Sequence, residues 1–205
     1  MLDNGDEAGF KKLVDAIDIS PDIAYRLIVE LKKKGIEYIV APYEADAQLA
    51  YLSREGIADV IITEDSDLMA FGARRMLYKL DFATMVGSEL DLDEIRGSKE
   101  VNFSWFNHCM FLTTCILAGC DYLPQINGIG LKTAQKFIGR VTTFRGFLGE
   151  LGNKTCDVPT NYEQNFMKAF LTFRFQRVFC PRRRMCVELN DFSYLQKTGT
   201  ELMEE

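Results

Sequence analysis

"VAPYEADAQLAYLSREGIADVIITEDSDLMAFG", residues Val40 to Gly72, decides how this chain is read. Two apolar runs, "IEYIVA" (36–41) and "DVIIT" (59–63), have the length and branched character of short buried strands. Each is followed at once by two acids spaced two apart: Glu44 and Asp46, then Asp65 and Asp67. Residues 44–55 read as a helix closed by Gly56, and "SDLMAFG" (66–72) as a shorter one. Strands alternating with helices imply a parallel sheet with helices on its faces. Both acid pairs then lie beyond strand carboxyl ends, where open α/β sheets bind ligands.

Carboxylates gathered in one crevice repel one another, and burial makes the repulsion worse. Asp121, in "AGCDYLP" (118–124), follows an apolar helix and precedes a proline turn, which makes it a third candidate for that crevice. An all-oxygen donor set suits a hard divalent cation, Mg²⁺ or Mn²⁺. Two such ions can activate a water and stabilise the leaving oxygen in phosphodiester hydrolysis. The competing local reading is that Asp65 or Asp67 caps the 66–72 helix and Glu44 merely suits a helix N-terminus. Recurrence of the pair after two consecutive strands weighs against it. Glu64 is set aside, because it would point elsewhere if the strand persists.

Working outward, Ile23, Leu27, Ile28 and Leu31 recur at helical spacing after Ser20–Pro21, and Gly35 ends that helix. Downstream, "RMLYKLDF" (75–82) and "SELDLDEI" (88–95) read as further strands. The stretch 104–119 reads as a buried apolar helix with Trp105 in the core. After Pro124 the pattern is all helical, over 131–139, 142–151 and 160–177. The expected fold is therefore α/β, a mostly parallel sheet with flanking helices plus a helical lobe. Its sections are 1–122, 123–190 and a tail, 191–205.

The chain has 205 residues and a net charge of −6, unevenly spread. Leu131 to Cys186 holds eleven Lys/Arg against three Asp/Glu, which is +8 and leaves −14 elsewhere. That asymmetry fits an acidic site in one part and an anion-binding surface in another. No apolar run approaches the roughly 20 residues of a membrane span, and the N-terminus lacks the secretory pattern; a soluble intracellular protein with no membrane partner is expected. The six cysteines form no C-x-x-C pair and are expected reduced, and His108, the single histidine, excludes a multi-histidine metal site. "KKK" (32–34) suits a helix C-terminus; "RRR" (182–184) reads either as a DNA contact or as a solvated face.

"INGIGLKTAQKFIGR" (126–140) is not a Walker A loop, because Leu131 separates Gly130 from Lys132. It reads as helix, Gly-x-Gly turn, helix. Gly128 and Gly130 would let the backbone approach a phosphate, the next helix offers free N–H groups, and Lys132 and Lys136 share a face. Such a device holds a DNA backbone without reading bases; a plain packing role for the turn is the alternative.

"YEADAQLAYL", "IITEDSDLMAFG", "GCDYLP", "GIGLKTAQKFI" and "VPTNYEQNFMKAFLTFRFQRVFCPRRR", in this order, resemble the structure-specific 5′-nuclease family of flap endonucleases. Within it the chain is most similar to the eukaryotic exonuclease 1 proteins, over residues 10–190. The resemblance implies a PIN-like 5′-nuclease core in which Glu44, Asp46, Asp65, Asp67 and Asp121 match the carboxylates that hold two Mg²⁺ ions. It implies that Gly128–Gly130 and the helix bearing Lys132 and Lys136 match the helix–two-turn–helix element, which grips duplex DNA and commonly binds K⁺. It implies cleavage of double-stranded DNA at 5′ ends, nicks or flaps, a nuclear location and mismatch-repair partners. The family pattern also has an N-terminal block, with a further strand, further aspartates and a basic arch, that finds no match here, so the core is expected to be incomplete. A non-catalytic duplex-DNA-binding module that keeps the helical lobe is the alternative function, and a PIN-like nuclease acting on RNA is a third.

Overall fold

The computed structural model describes residues 19–95, 97–98, 101–140, 146, 149 and 158–192. The expected helix over 142–151 and the tail from 193 onward fall largely outside these. The chain divides into two compact units, residues 1–40 and 41–205.

In the first unit, α1 (Pro21–Lys33) starts as its sequence dictates. Pro21 takes the first helical position, Asp22 lies in the first turn, and Lys32 and Lys33 complement the dipole in the last. Ser20 is the N-cap residue by backbone conformation, but its side chain makes no capping bond. Lys33 pairs with Glu30 at 2.7 Å, so this part of the lysine run serves its own helix. Gly35 turns the chain out with φ +67°. The expected strand "IEYIVA" does not form: residues 36–40 carry no ladder, and Ile36, Tyr38, Ile39 and Val40 are exposed. A strand exists only through hydrogen bonds to a neighbour, and none of the described residues supplies them.

The second unit follows the expected alternation. Helix α2 (Ala45–Arg54) is buried along Ala47, Gln48, Ala50 and Tyr51. Strand β1 (Ile61–Thr63) leads into α3 (Asp67–Phe71), which Gly72 closes at φ +86°. Strand β2 (Arg75–Asp81) pairs parallel with β1, with Ile61 beside Met76 and Thr63 beside Tyr78. Strand β3 (Val86–Asp91) then returns antiparallel to β2 and runs into the short helix α4 (Leu92–Ile95). The sheet is thus mixed, in the order β1-β2-β3. The link after Asp81 is a hairpin turn, far too short for the crossover a parallel neighbour needs.

Helix α5 (His108–Ala118) is capped by the Asn107 side chain, which accepts from the Met110 N–H at 2.8 Å. This start lies four residues later than expected. Trp105 consequently precedes the helix, is 55% exposed, and packs edge-on against Phe106 instead of entering the core. Helices α6 (Leu131–Ile138) and α7 (Tyr162–Phe175) follow. An unexpected hairpin comes next, β4 (Arg177–Cys180) against β5 (Met185–Glu188). The "RRR" run forms its turn, where Arg182 donates to the Glu55 carbonyl at 3.1 Å and faces the Glu55 carboxylate at 3.7 Å.

The core runs unbroken across residue 122, from Leu68, Phe71 and Met76 through Leu112 and Ile116 to Ile138, Phe166 and Phe173. Phe173 is its keystone: its ring lies 4.7 Å from that of Phe71 and 4.9 Å from that of Tyr122. Helix α3, the Asp121 loop and α7 therefore meet on one aromatic layer. Cys109, Cys115, Cys120, Cys180 and Cys186 are free thiols.

Candidate functional site

The acids reach one place from three elements. Glu44 is the N-cap residue of α2, and Asp46 lies in that helix's first turn. Asp65 and Asp67 sit where β1 gives way to α3. Asp121 follows α5 and Gly119, inside a turn closed by the short Cys120–Leu123 bridge. Gly119 is required there: it has φ +103°, and a Cβ would stand 2.9 Å from that of Gln125.

All five carboxylates share one electrostatic neighbourhood. Partial burial, then the charges of Asp65, Glu44 and Asp121, raise the Asp46 carboxyl above its usual range. Burial acts again on Asp67, followed by Asp65, Asp121, Asp46 and Glu44, and pushes it up to about 6. The charges acting most on both are negative, so the fold supplies repulsion where a surface would supply a cation or open water.

Local chain geometry holds the acids in different ways. Asp65 closes an Asx turn, its Oδ1 accepting from the Asp67 N–H at 2.8 Å, while its own N–H donates to Thr63 Oγ1 at 2.9 Å. This is a capping contact of the kind the local reading anticipated, made by Asp65 and not by Asp67. The Tyr78 hydroxyl donates to the Asp65 carbonyl at 3.1 Å and steadies the loop from β2. Glu44 Oε2 accepts from the Tyr122 hydroxyl and from Gln176 Nε2, the latter at 2.8 Å. Among the described residues no three acidic, Cys or His groups close on a single point as a preassembled ion cage does. Asp65 and Glu44 turn oxygens toward protein donors instead. The donor set still fits a hard cation by its chemistry: oxygen ligands only, ionisation resisted by mutual repulsion, on a strand-end crevice.

Tyr122 and Gln176 escaped the sequence reading. Tyr122 adjoins Asp121 and could have been suspected; Gln176 is 132 residues from Glu44 and carries no local signal.

The glycine turn is a separate construction. Ile126 and Ile129 are buried and anchor it, and Gln125 Nε2 donates to the Ile129 carbonyl at 2.7 Å. Gly128 adopts φ +83° with open space where a side chain would stand. Gly130 is the N-cap residue of α6 with φ −87°, and no side chain caps the helix. Thr133 and Ala134 N–H donate to the Gly130 carbonyl, which leaves the N–H groups of Leu131 and Lys132 at the helix start to an outside acceptor. Lys132 and Lys136 are exposed on that helix.

A cavity of about 570 Å³ lies elsewhere, lined by residues that include Arg54, Arg74, Phe103, His108 and Arg174, and touches none of the five carboxylates. Arg54 is bound to Asn190 there at 2.8 Å. Chemistry points to the acids and not to this hollow.

Residues 35–121 match the XPG I-region family model. Exonuclease 1 of Arabidopsis thaliana is 41% identical over 186 residues, which cover 91% of this chain and 25% of the relative. The chain thus spans about a quarter of that protein's length. Among solved structures, the catalytic core of Rad2 in complex with DNA substrate superposes with a TM-score of 0.61 at 20% identity, over 78% of this chain and 58% of that one. The eukaryotic junction-resolving enzyme GEN-1 binding with potassium gives a TM-score of 0.62 at 21% identity, over 82% and 47%. The resemblance read from the motifs is borne out: residues 35–121 are an XPG I-region, the chain is related to the exonuclease 1 proteins, and the fold is that of the PIN-like 5′-nucleases. Among the described residues no helix is long and apolar enough to cross a membrane.

Proposed function

We propose that this chain is part of the catalytic domain of a Mg²⁺-dependent, structure-specific 5′-nuclease of exonuclease 1 type. It acts as a 5′-to-3′ exonuclease and flap endonuclease on double-stranded DNA with 5′ ends, nicks or flaps. One observation carries the reading. The five acids fall within the XPG I-region match and act on one another: burial first, and then the charges of the other four, push Asp67 up to about 6.

Asp65, Asp67 and Asp121 would hold one or both ions, with Mn²⁺ as a substitute. Glu44 and Asp46 would ligate an ion or orient water beside it. When bound, the ions supply Lewis acidity at the scissile phosphodiester. The chain's own residues do the rest. The five acids confine that charge to one end of the sheet, and Tyr122 and Gln176 fix the Glu44 carboxylate. The turn at Gly128 and Gly130 presents uncapped backbone N–H groups to a duplex phosphate, flanked by Lys132 and Lys136. K⁺ would bind at the same turn; that a GEN-1 neighbour binds potassium supports the ion. DNA as ligand draws support from the Rad2 neighbour. A role in DNA repair, a nuclear location and mismatch-repair partners belong to the same proposal, and the likeness to exonuclease 1 supports them.

The test is cleavage of a 5′-labelled flap and of a nicked duplex by the full chain. It is run with Mg²⁺, with EDTA, and with Asp67→Ala. Mg²⁺-dependent products ending in a 5′-phosphate, lost in Asp67→Ala, are expected. Duplex binding without cleavage, equal in both proteins, would instead establish the non-catalytic module.

A further inference from the structure

Three segments far apart in the chain converge on one carboxylate. Gln176 ends α7, and its amide is used on both sides. Nε2 donates to Glu44 Oε2 at 2.8 Å, and Oε1 accepts the Glu44 backbone N–H at 3.2 Å. The amide thus clasps Glu44 by side chain and main chain together, which fixes the carboxylate against its own backbone. The Tyr122 hydroxyl donates to the same Oε2 from the loop that carries Asp121. One Glu44 oxygen is thereby saturated by two neutral donors, and Oε1 is the oxygen left for a ligand.

A second glutamine nearby shows what a merely structural amide looks like. Gln48, one turn further along α2, is 3% exposed. It exchanges both its hydrogen bonds with the Phe179 backbone, at 2.9 and 2.7 Å, as a neighbouring strand would. Gln176 is only half-buried, and its side chain spends its donor on a carboxylate. Its backbone carbonyl meanwhile accepts from Leu189 N–H, a contact that does not need the side chain.

We infer that Gln176, assisted by Tyr122, is a positioning residue that aims Glu44 Oε1 at the divalent ion; this rests on the nuclease reading above. Neutral donors suit the task. They orient a ligand without adding a positive charge that would compete with the cation, and loss of such an outer partner typically weakens metal affinity about 10- to 100-fold.

The test is Mn²⁺ binding to the full chain, followed by titration calorimetry and by the loss of free-ion electron resonance signal, with no DNA present. Gln176→Met keeps the volume and removes the donor. It is expected to bind Mn²⁺ about tenfold more weakly, with its melting temperature in EDTA unchanged. Tyr122→Phe is expected to lose affinity in the same direction and guards against a poorly folded Gln176 variant. In a Glu44→Gln background, Gln176→Met should bring no further loss, since the group it aims is gone. Wild-type affinity in both single variants would overturn the inference. So would an undiminished loss in the Glu44→Gln background. A wild-type chain that binds no Mn²⁺ would overturn the nuclease reading itself, and this inference with it.

Discussion

The acidic crevice and the glycine turn sit at two ends of the same helical connection and are built on opposite electrical terms. The crevice gathers like charges, and the fold resists their ionisation: Asp46 and Asp67 are both raised, Asp67 up to about 6. The turn gathers no charge: two buried isoleucines anchor it, two glycines and a glutamine bonded within the loop shape it, and its lysines stand out in solvent. One region is stable in spite of its side chains and the other because of its backbone. A folded chain keeps an arrangement that costs it stability only where a ligand relieves the cost, so removal of a key residue should change stability with opposite sign in the two regions.

The largest expected effect breaks function at the crevice. Asp67→Asn should cut Mg²⁺-dependent flap cleavage by more than about 100-fold, beyond what loss of a merely supporting residue brings; single-turnover rates check this. Next comes the turn's charge. The double variant Lys132→Ala, Lys136→Ala should flatten the plot of log duplex affinity against log salt by about 2, one for each phosphate contact. Fluorescence anisotropy at several salt concentrations measures it, and an unchanged slope would deny those lysines their contact.

Two smaller effects test the opposed signs. Gly128→Ala meets no neighbour but must hold φ +83°, so it should lose about 1 kcal/mol in chemical denaturation. Asp67→Asn should do the reverse in EDTA. The folded carboxyl lies above its ordinary value of 3.8. Its stability contribution is therefore fully present below about pH 4. It is lost as pH rises through about 6, and the penalty stays constant above that. At pH 8 the substitution should gain about 1 kcal/mol, a figure reduced from the full shift because the group is half solvated. The gain should vanish below pH 4, and thermal melts across that range would reveal it. A wild-type melting temperature that Mg²⁺ raises would be the same relief seen from the ligand's side.

Both regions could be read in the sequence because their signals are local. An acid pair after a β-branched run and a Gly-x-Gly before a lysine-bearing helix each span a few residues. What escaped was settled at long range. "IEYIVA" has strand composition, but a strand is defined by its partner, and none is found among the described residues. The apolar pattern places Trp105 in a helix that begins only at His108, once Asn107 takes the cap. The helix expected over 160–177 ends at Phe175. The Gln176 turn and pairing with β5 override helical propensity there. Gln176 itself, glutamine among polar neighbours, acquires meaning only when the fold returns it to Glu44.

Phe173 has a consequence for how the molecule comes apart. Its ring bears on Phe71 beside the acids and on Tyr122 next to Asp121. Heat or denaturant should accordingly find no seam between the strands and the helices after them: both ought to melt in a single cooperative step. A protease cutting near residue 122 should release no half that stays folded by itself, because each would present the other's aromatic face to water.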